Sequence, residues 1–209
     1  VPTGEELMAG SGTAHMRNSE DVILAVKDLV VEFCISRHHT VQAVSGISFD
    51  IVKGETLAIV GESGCGKTTL GKAILQLPPP NSGQVIFEGT DLMKLSKEKL
   101  RSARTSMQMV FQDPISSLDP RMTVSQLIEE PLSIWNRGGS EERVAAIDKL
   151  LNDVGLDPHM VLDRRAYEFS GGQCQRISIA RSLALEPRML ICDEPVSALD
   201  VSIQAQILN

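Results

Sequence analysis

The feature that most constrains this chain is Gly61-Glu62-Ser63-Gly64-Cys65-Gly66-Lys67-Thr68, which fits G-x-x-x-x-G-K-[ST] at every fixed position. Before it, Thr56 to Val60 is an apolar run of the length of a fully buried strand. After it, Thr68 to Leu77 is predicted to be a helix, ended by Pro78, Pro79 and Pro80, which lack the backbone donor a helix needs. Glycines let the loop curl so that successive N–H groups point inward at an anion, and the helix N-terminus adds its positive end. Lys67 supplies a full charge for β- and γ-phosphates, and Thr68 a hydroxyl for Mg²⁺. Thr69 continues the first turn and joins the nucleotide-binding set. Taken alone, the loop implies only a bound nucleoside triphosphate.

A second element answers the first. Met189 to Cys192 is an apolar run ending in Asp193 and Glu194. An aspartate at a strand end holds Mg²⁺, and the glutamate beside it polarises an attacking water. The alternative is a charged strand-to-loop boundary without chemistry.

Around these two elements the chain alternates strands and helices. Val26 to Phe33 and Val44 to Val52 are rich in β-branched residues. Val85 to Glu88 and Met107 to Phe111 are further predicted strands, and Leu92 to Arg104 a helix whose Lys94, Lys97, Lys99, Arg101 and Arg104 form a solvated face. From about residue 116 to 167 the pattern is mostly helical. Ser140 is the expected N-cap of a helix whose stripe is Val144, Ile147, Leu151 and Val154, closed by Gly155. A helix over Gly172 to Leu185 precedes the acidic strand, and a final helix is expected after Pro195. The implied fold is α/β: a P-loop NTPase with a parallel-sheet core, N-terminal antiparallel β strands and an inserted helical subdomain. Residues 1–20 are expected to be a linker or arm, 21–209 one nucleotide-binding domain, and about 115–172 its helical subdomain.

With 209 residues, 42% of them hydrophobic, the chain has material for one good-sized domain. A net charge of −7 argues against a nucleic-acid partner, which would call for clustered Lys and Arg. No apolar run approaches the roughly 18 residues a membrane span needs, so a membrane is expected to be met through a partner. Cys34, Cys65, Cys174 and Cys192 contain no Cys-x-x-Cys pair and are expected as free thiols.

Ser170-Gly171-Gly172-Gln173, just before a helix and in order between the phosphate loop and the acidic strand, resembles the signature motif of ATP-binding-cassette (ABC) ATPases. Two glycines and a serine at a helix start also suit a second anion site. Gln112 is similar to the family glutamine that contacts Mg²⁺ and the attacking water, and Ser197-Ala198-Leu199-Asp200 to the loop that crosses the family's dimer interface. Phe33 stands near the family aromatic that stacks on adenine; the alternative is a buried strand phenylalanine. Val110-Phe111-Gln112-Asp113-Pro114 and Ser117-Leu118-Asp119-Pro120-Arg121-Met122-Thr123-Val124 resemble the dipeptide, oligopeptide and nickel importer ATPases, as does Phe169 ahead of the signature. Cys174 stands where many relatives have Arg.

This resemblance implies a transport-coupled ATPase with ATP and Mg²⁺. Lys67, Gln112 and Glu194 are the implied catalytic residues, Thr68, Gln112 and Asp193 the metal set, and Gly61 to Thr69, Phe33 and Ser170 to Gln173 the nucleotide contacts. It further implies a head-to-tail pair with a second ABC ATPase domain, membrane permease subunits, an indirectly coupled substrate-binding protein, and a peripheral place on the cytoplasmic face of the inner membrane. A nickel importer, an exporter motor, a soluble non-transport ABC ATPase and a degenerate structural partner are the competing expectations. The family also uses a histidine beyond the acidic strand. His15, His38, His39 and His159 all precede Glu194 and the chain ends at Asn209, so this polypeptide by itself is expected to bind ATP weakly and turn it over poorly.

Overall fold

A computed structural model describes residues 16–17, 21–36 and 39–195. They fall in two compact units, Val1–Arg101 and Ser102–Asn209. The expected interface loop at Ser197 to Asp200, the expected final helix, and the expected arm apart from Met16 and Arg17 lie outside the described residues.

The first unit holds an antiparallel sheet and the helix that carries the phosphate loop. Strands β1 (Val22–Ser36) and β2 (His39–Val52) form a long hairpin, and β3 (Ser82–Phe87) pairs with β1 and β4 (Thr90–Asp91) with β3, giving the order β2-β1-β3-β4. At the far end of the hairpin Cys34 lies opposite Thr40 and Ser36 opposite His39. In a regular strand Val26 and Leu29 would face opposite sides. A bulge between them, with Asp28 at φ 46°, restores both to the buried face, where each is 0% exposed. They join Leu24, Val31, Val44, Phe49, Val85 and Phe87 against Leu70, Ala73 and Ile74 of helix α1 (Lys67–Ile74). Each such side chain stabilises the unit by about 1.5–3 kcal/mol. Arg17, expected in a loose arm, is tied to this sheet: its guanidinium meets buried Asp50 at 2.8 Å and Glu55 at 2.6 Å.

Two expectations fail here. Thr56 to Val60 is not a strand, and Val60 is 91% exposed. A strand needs a ladder partner, and within its own unit the four-stranded sheet gives this segment none. The helix expected over Leu92 to Arg104 is broken into a 3₁₀ turn at Leu92–Lys94 and helix α2 (Lys97–Ala103). Asp91 accepts from the Met93 N–H and so starts a turn of its own.

The second unit packs helices on a parallel strand pair. β5 (Met107–Val110) lies in register with β6 (Met189–Cys192), from Met107 opposite Met189 to Val110 opposite Cys192. Between them come α3 (Pro114–Ser117), α4 (Val124–Ile134), α5 (Ser140–Asp153), α6 (Pro158–Val161), a 3₁₀ turn at Ala166–Glu168, and α7 (Gly171–Leu183). Leu127, Ile128, Leu151, Ile177 and Ala180 are the centre of one apolar cluster. The stripe of α5 is buried at Ile147, Leu151 and Val154, whereas Val144 is exposed. Gly139 rather than Ser140 caps α5, because the Glu142 carboxylate accepts from the Gly139 N–H at 2.8 Å. β6 is a strand as expected but is not buried throughout: Leu190 and Cys192 are exposed, and among the described residues β6 pairs with β5 alone.

Candidate functional site

The sequence-predicted residues form three local groups. The first is the phosphate loop. Gly64 and Gly66 sit at φ 80° and 98°, where L side chains are strained. A Cβ on Gly66 would also lie 2.1 Å from the Ala43 carbonyl oxygen, so β2 and the loop approach as closely as only glycine permits. Gly61 is crowded more softly, its Cβ position 2.6 Å from Sγ of the exposed Cys65 side chain. The Lys67 ammonium curls back over the loop and donates to the carbonyls of Gly61 and Glu62, both at 2.8 Å. Those acceptors are neutral; phosphate oxygens would offer it a stronger, charged partner. Glu62 and Ser63 are exposed, and Thr68 and Thr69 half-buried in the first turn of α1.

The second group joins the end of β5 to the end of β6. The Gln112 amide donates to Glu194 Oε2 at 2.8 Å, across 82 residues of sequence. Parallel pairing places the two side by side, and the Asp193 N–H donates to the Val110 carbonyl at 3.0 Å, extending the ladder past β6. Glu194 takes φ 50°, a left-handed backbone at an exposed carboxylate, the kind of local strain that concentrates at working sites. Asp113 keeps Gln112 in place by capping α3, accepting from the N–H groups of Ile115 and Ser116. Its hydrogen bonds with Ser116 hold the Asp113 carboxyl below its ordinary value.

The third group is the start of α7. Ser170 and Gln173 form a reciprocal capping box: Ser170 Oγ accepts from the Gln173 N–H at 3.3 Å, and Gln173 Oε1 accepts from the Ser170 N–H at 3.0 Å. The Gly171 and Gly172 amides are left at the helix start without an intrahelical acceptor. Gly171 differs from the phosphate-loop glycines, because a Cβ there would meet nothing within 4 Å.

Phe33 lies apart, on β1 opposite Val41 near the hairpin tip. It is 42% exposed, which overturns the buried-strand alternative. Cys174 now has a structural account. It is 2% exposed, its thiol donates to the Ala166 carbonyl at 3.4 Å, and burial pushes its pKa up. It pins the turn that leads into Ser170. Neither this nor the capping role of Asp113 was anticipated, although Asp-Pro ahead of a short helix is a legible cap signal. Among the described residues, no group of three or more His, Cys, Asp and Glu is placed to hold a metal, and no helix is long and apolar enough to cross a membrane.

Residues 44–197 match the ABC transporter family model, and the chain belongs to that family. It is 50% identical over 198 residues to the oligopeptide transport ATP-binding protein AppF of Bacillus subtilis, covering 91% of this chain and 60% of that protein. It is 46% identical to the oligopeptide transport ATP-binding protein OppF of Haemophilus influenzae, covering 92% of this chain and 60% of the relative. The chain thus spans about three-fifths of the length of these relatives. Among solved structures, the dimeric cassette MJ0796 bound to ADP and Pi is similar at a TM-score of 0.82 and 29% identity, over 88% of this chain and 79% of that one. The cbiO1 protein of Clostridium perfringens, part of a cbiONQ ABC transporter complex, gives a TM-score of 0.74 at 30% identity, over 90% and 72%. The α/β P-loop fold is therefore that of ABC cassettes.

Proposed function

We propose that this chain is the ATP-hydrolysing motor domain of an ABC importer for di- or oligopeptides. The observation that carries the catalytic reading is the Gln112–Glu194 hydrogen bond, which aligns an amide and a carboxylate at the ends of paired strands. The peptide reading rests on relatives named oligopeptide transport ATP-binding proteins.

Lys67 and the loop amides from Gly61 to Thr69 hold the triphosphate, and exposed Phe33 offers its face to adenine. The donor set Thr68, Gln112 and Asp193 is made of hard oxygens and suits Mg²⁺, which takes few protein ligands and keeps phosphate oxygens and waters. That ion supplies charge neutralisation at the phosphates when bound. Glu194 accepts a proton from the attacking water, oriented by Gln112. Ser170 to Gln173 present a second helix start to the γ-phosphate held by another cassette; the open space beside Gly171 leaves room for that approach. The helical stretch of about 115–172 is the subdomain that passes this motion to permease subunits, on the cytoplasmic face of the membrane, and a substrate-binding protein delivers the peptide to them.

Affinity purification of the full-length protein from gently solubilised membranes tests this. Co-purification of two polytopic subunits and a peptide-binding protein is expected. Recovery of ribosomes or DNA instead would remove the transport reading while leaving the ATPase reading intact.

A further inference from the structure

Helix α7 is buried on two faces of different character. Cys174, Ile177, Ala180 and Ala184 enter the apolar cluster shared with α4 and α5. The other face is a polar stripe: Gln175, Ser178 and Ser182 are 0%, 1% and 5% exposed. Three- and seven-residue spacing sets them in one row. That row looks toward β5 and α3, the elements on either side of Gln112. Ser182 Oγ reaches the Met109 carbonyl at 3.4 Å, and Ser178 Oγ lies 3.4 Å from Ser117 Oγ. Both contacts are at the long limit of hydrogen bonding. Gln175, the largest of the three, has neither Nε2 nor Oε1 hydrogen-bonded among the described residues. A buried amide without partners destabilises the state in which it is found, and an apolar side chain of the same shape would be more favourable there.

Resting on the function proposed above, we propose that Gln175 is a positioning residue that ratchets the signature helix against the loop after Gln112. In the state described, Ser117 contacts Ser178. Gln175 lies one turn nearer the signature on the same face. A one-turn slide of α3 along α7 exchanges the Ser117–Ser178 contact for Ser117–Gln175 and gives the Gln175 Nε2 an acceptor in Ser117 Oγ, whose own proton stays on the Pro114 carbonyl. Packed helices move between discrete arrangements of this kind more readily than they deform continuously. The loose seam makes leaving the first arrangement easy, and the unsatisfied amide favours reaching the second. Ser170, at the N-terminus of α7, and Gln112, just before α3, are thereby driven by one step.

The test uses the full-length protein in its purified transporter complex, with Gln175→Met, Ser117→Ala and the double variant. Gln175→Met is expected to raise the melting temperature by roughly 2–4 °C while lowering kcat for ATP about tenfold and leaving KM within about twofold. The double variant should lose no more turnover than Gln175→Met alone, because both substitutions remove the same contact. A Gln175→Met protein with unchanged kcat, or with a lowered melting temperature, overturns the proposal, as does full additivity in the double variant. If the unsubstituted complex fails to hydrolyse ATP, it is the functional reading that falls instead.

Discussion

Two glycine-rich helix starts on this chain look alike in sequence and differ in what their glycines do. At the phosphate loop, Gly64 and Gly66 take left-handed backbones, and Gly66 sits against the Ala43 carbonyl. Those glycines are required by the loop's own fold. At the start of α7, Gly171 has open space where its Cβ would be, and Ser170 and Gln173 already complete the cap. Among the described residues, nothing asks for a glycine there. The difference is that the first loop needs its glycines to fold, whereas the second has bare space beside Gly171, which the proposed function reserves for a phosphate brought by another cassette.

The sharpest way to separate chemistry from both cradles is Glu194→Gln. It keeps the Gln112 contact available as an amide–amide bond, so ATP affinity should hold while turnover falls about 10²–10⁴-fold in the full-length complex. Normal turnover would remove Glu194 as the base. Next, Lys67→Ala should weaken ATP binding by roughly 10–100-fold in a fluorescent-nucleotide titration, since it removes the loop's one full positive charge. An unchanged affinity would mean that the ammonium does not leave its carbonyl partners for phosphate.

The glycines themselves can be set against each other in thermal melts. Gly66→Ala forces a side chain into a left-handed backbone and a 2.1 Å approach, so a loss of about 1–3 kcal/mol and of nucleotide binding is expected. Gly171→Ala should stay within roughly 0.5 kcal/mol of the parent, as a substitution into open space does. Equal losses would erase the distinction drawn above. The smallest effect concerns the segment after α3. Arg121 holds the Asp119 carboxyl down to about 2, mainly through their side-chain hydrogen bond. A lowered pKa contributes stability above the ordinary carboxyl value, lost as pH falls toward 2. In Arg121→Ala, NMR titration of Asp119 should show a midpoint moved back up toward 3.8; an unmoved midpoint would assign the shift elsewhere.

Much of this was legible before any coordinates. The order and spacing of the phosphate loop, the acidic strand end and the signature point to the family that the chain belongs to, and the stripe Ile147, Leu151 and Val154 declares its buried face by period. What escaped depends on partners distant in the chain. Thr56 to Val60 is apolar enough for a strand, but composition does not name the ladder neighbour, and its own unit provides none. The bulge at Asp28 hides a buried face behind a broken alternation, with Val26 and Leu29 three apart. Gln175 looks like an ordinary polar helix residue; only packing reveals it as fully buried and unpaired.

The most direct test of the account is Gly171→Asp in the purified full-length complex. An acid in the first turn of a helix is favourable, so the fold should be unharmed. The prediction is an unchanged melting temperature, retained ATP binding at the phosphate loop, and hydrolysis reduced at least about tenfold, because a side chain and a negative charge would then occupy the space proposed for another cassette's γ-phosphate. Undiminished hydrolysis with Asp at this position would contradict the claim that the bare helix start completes a site from outside.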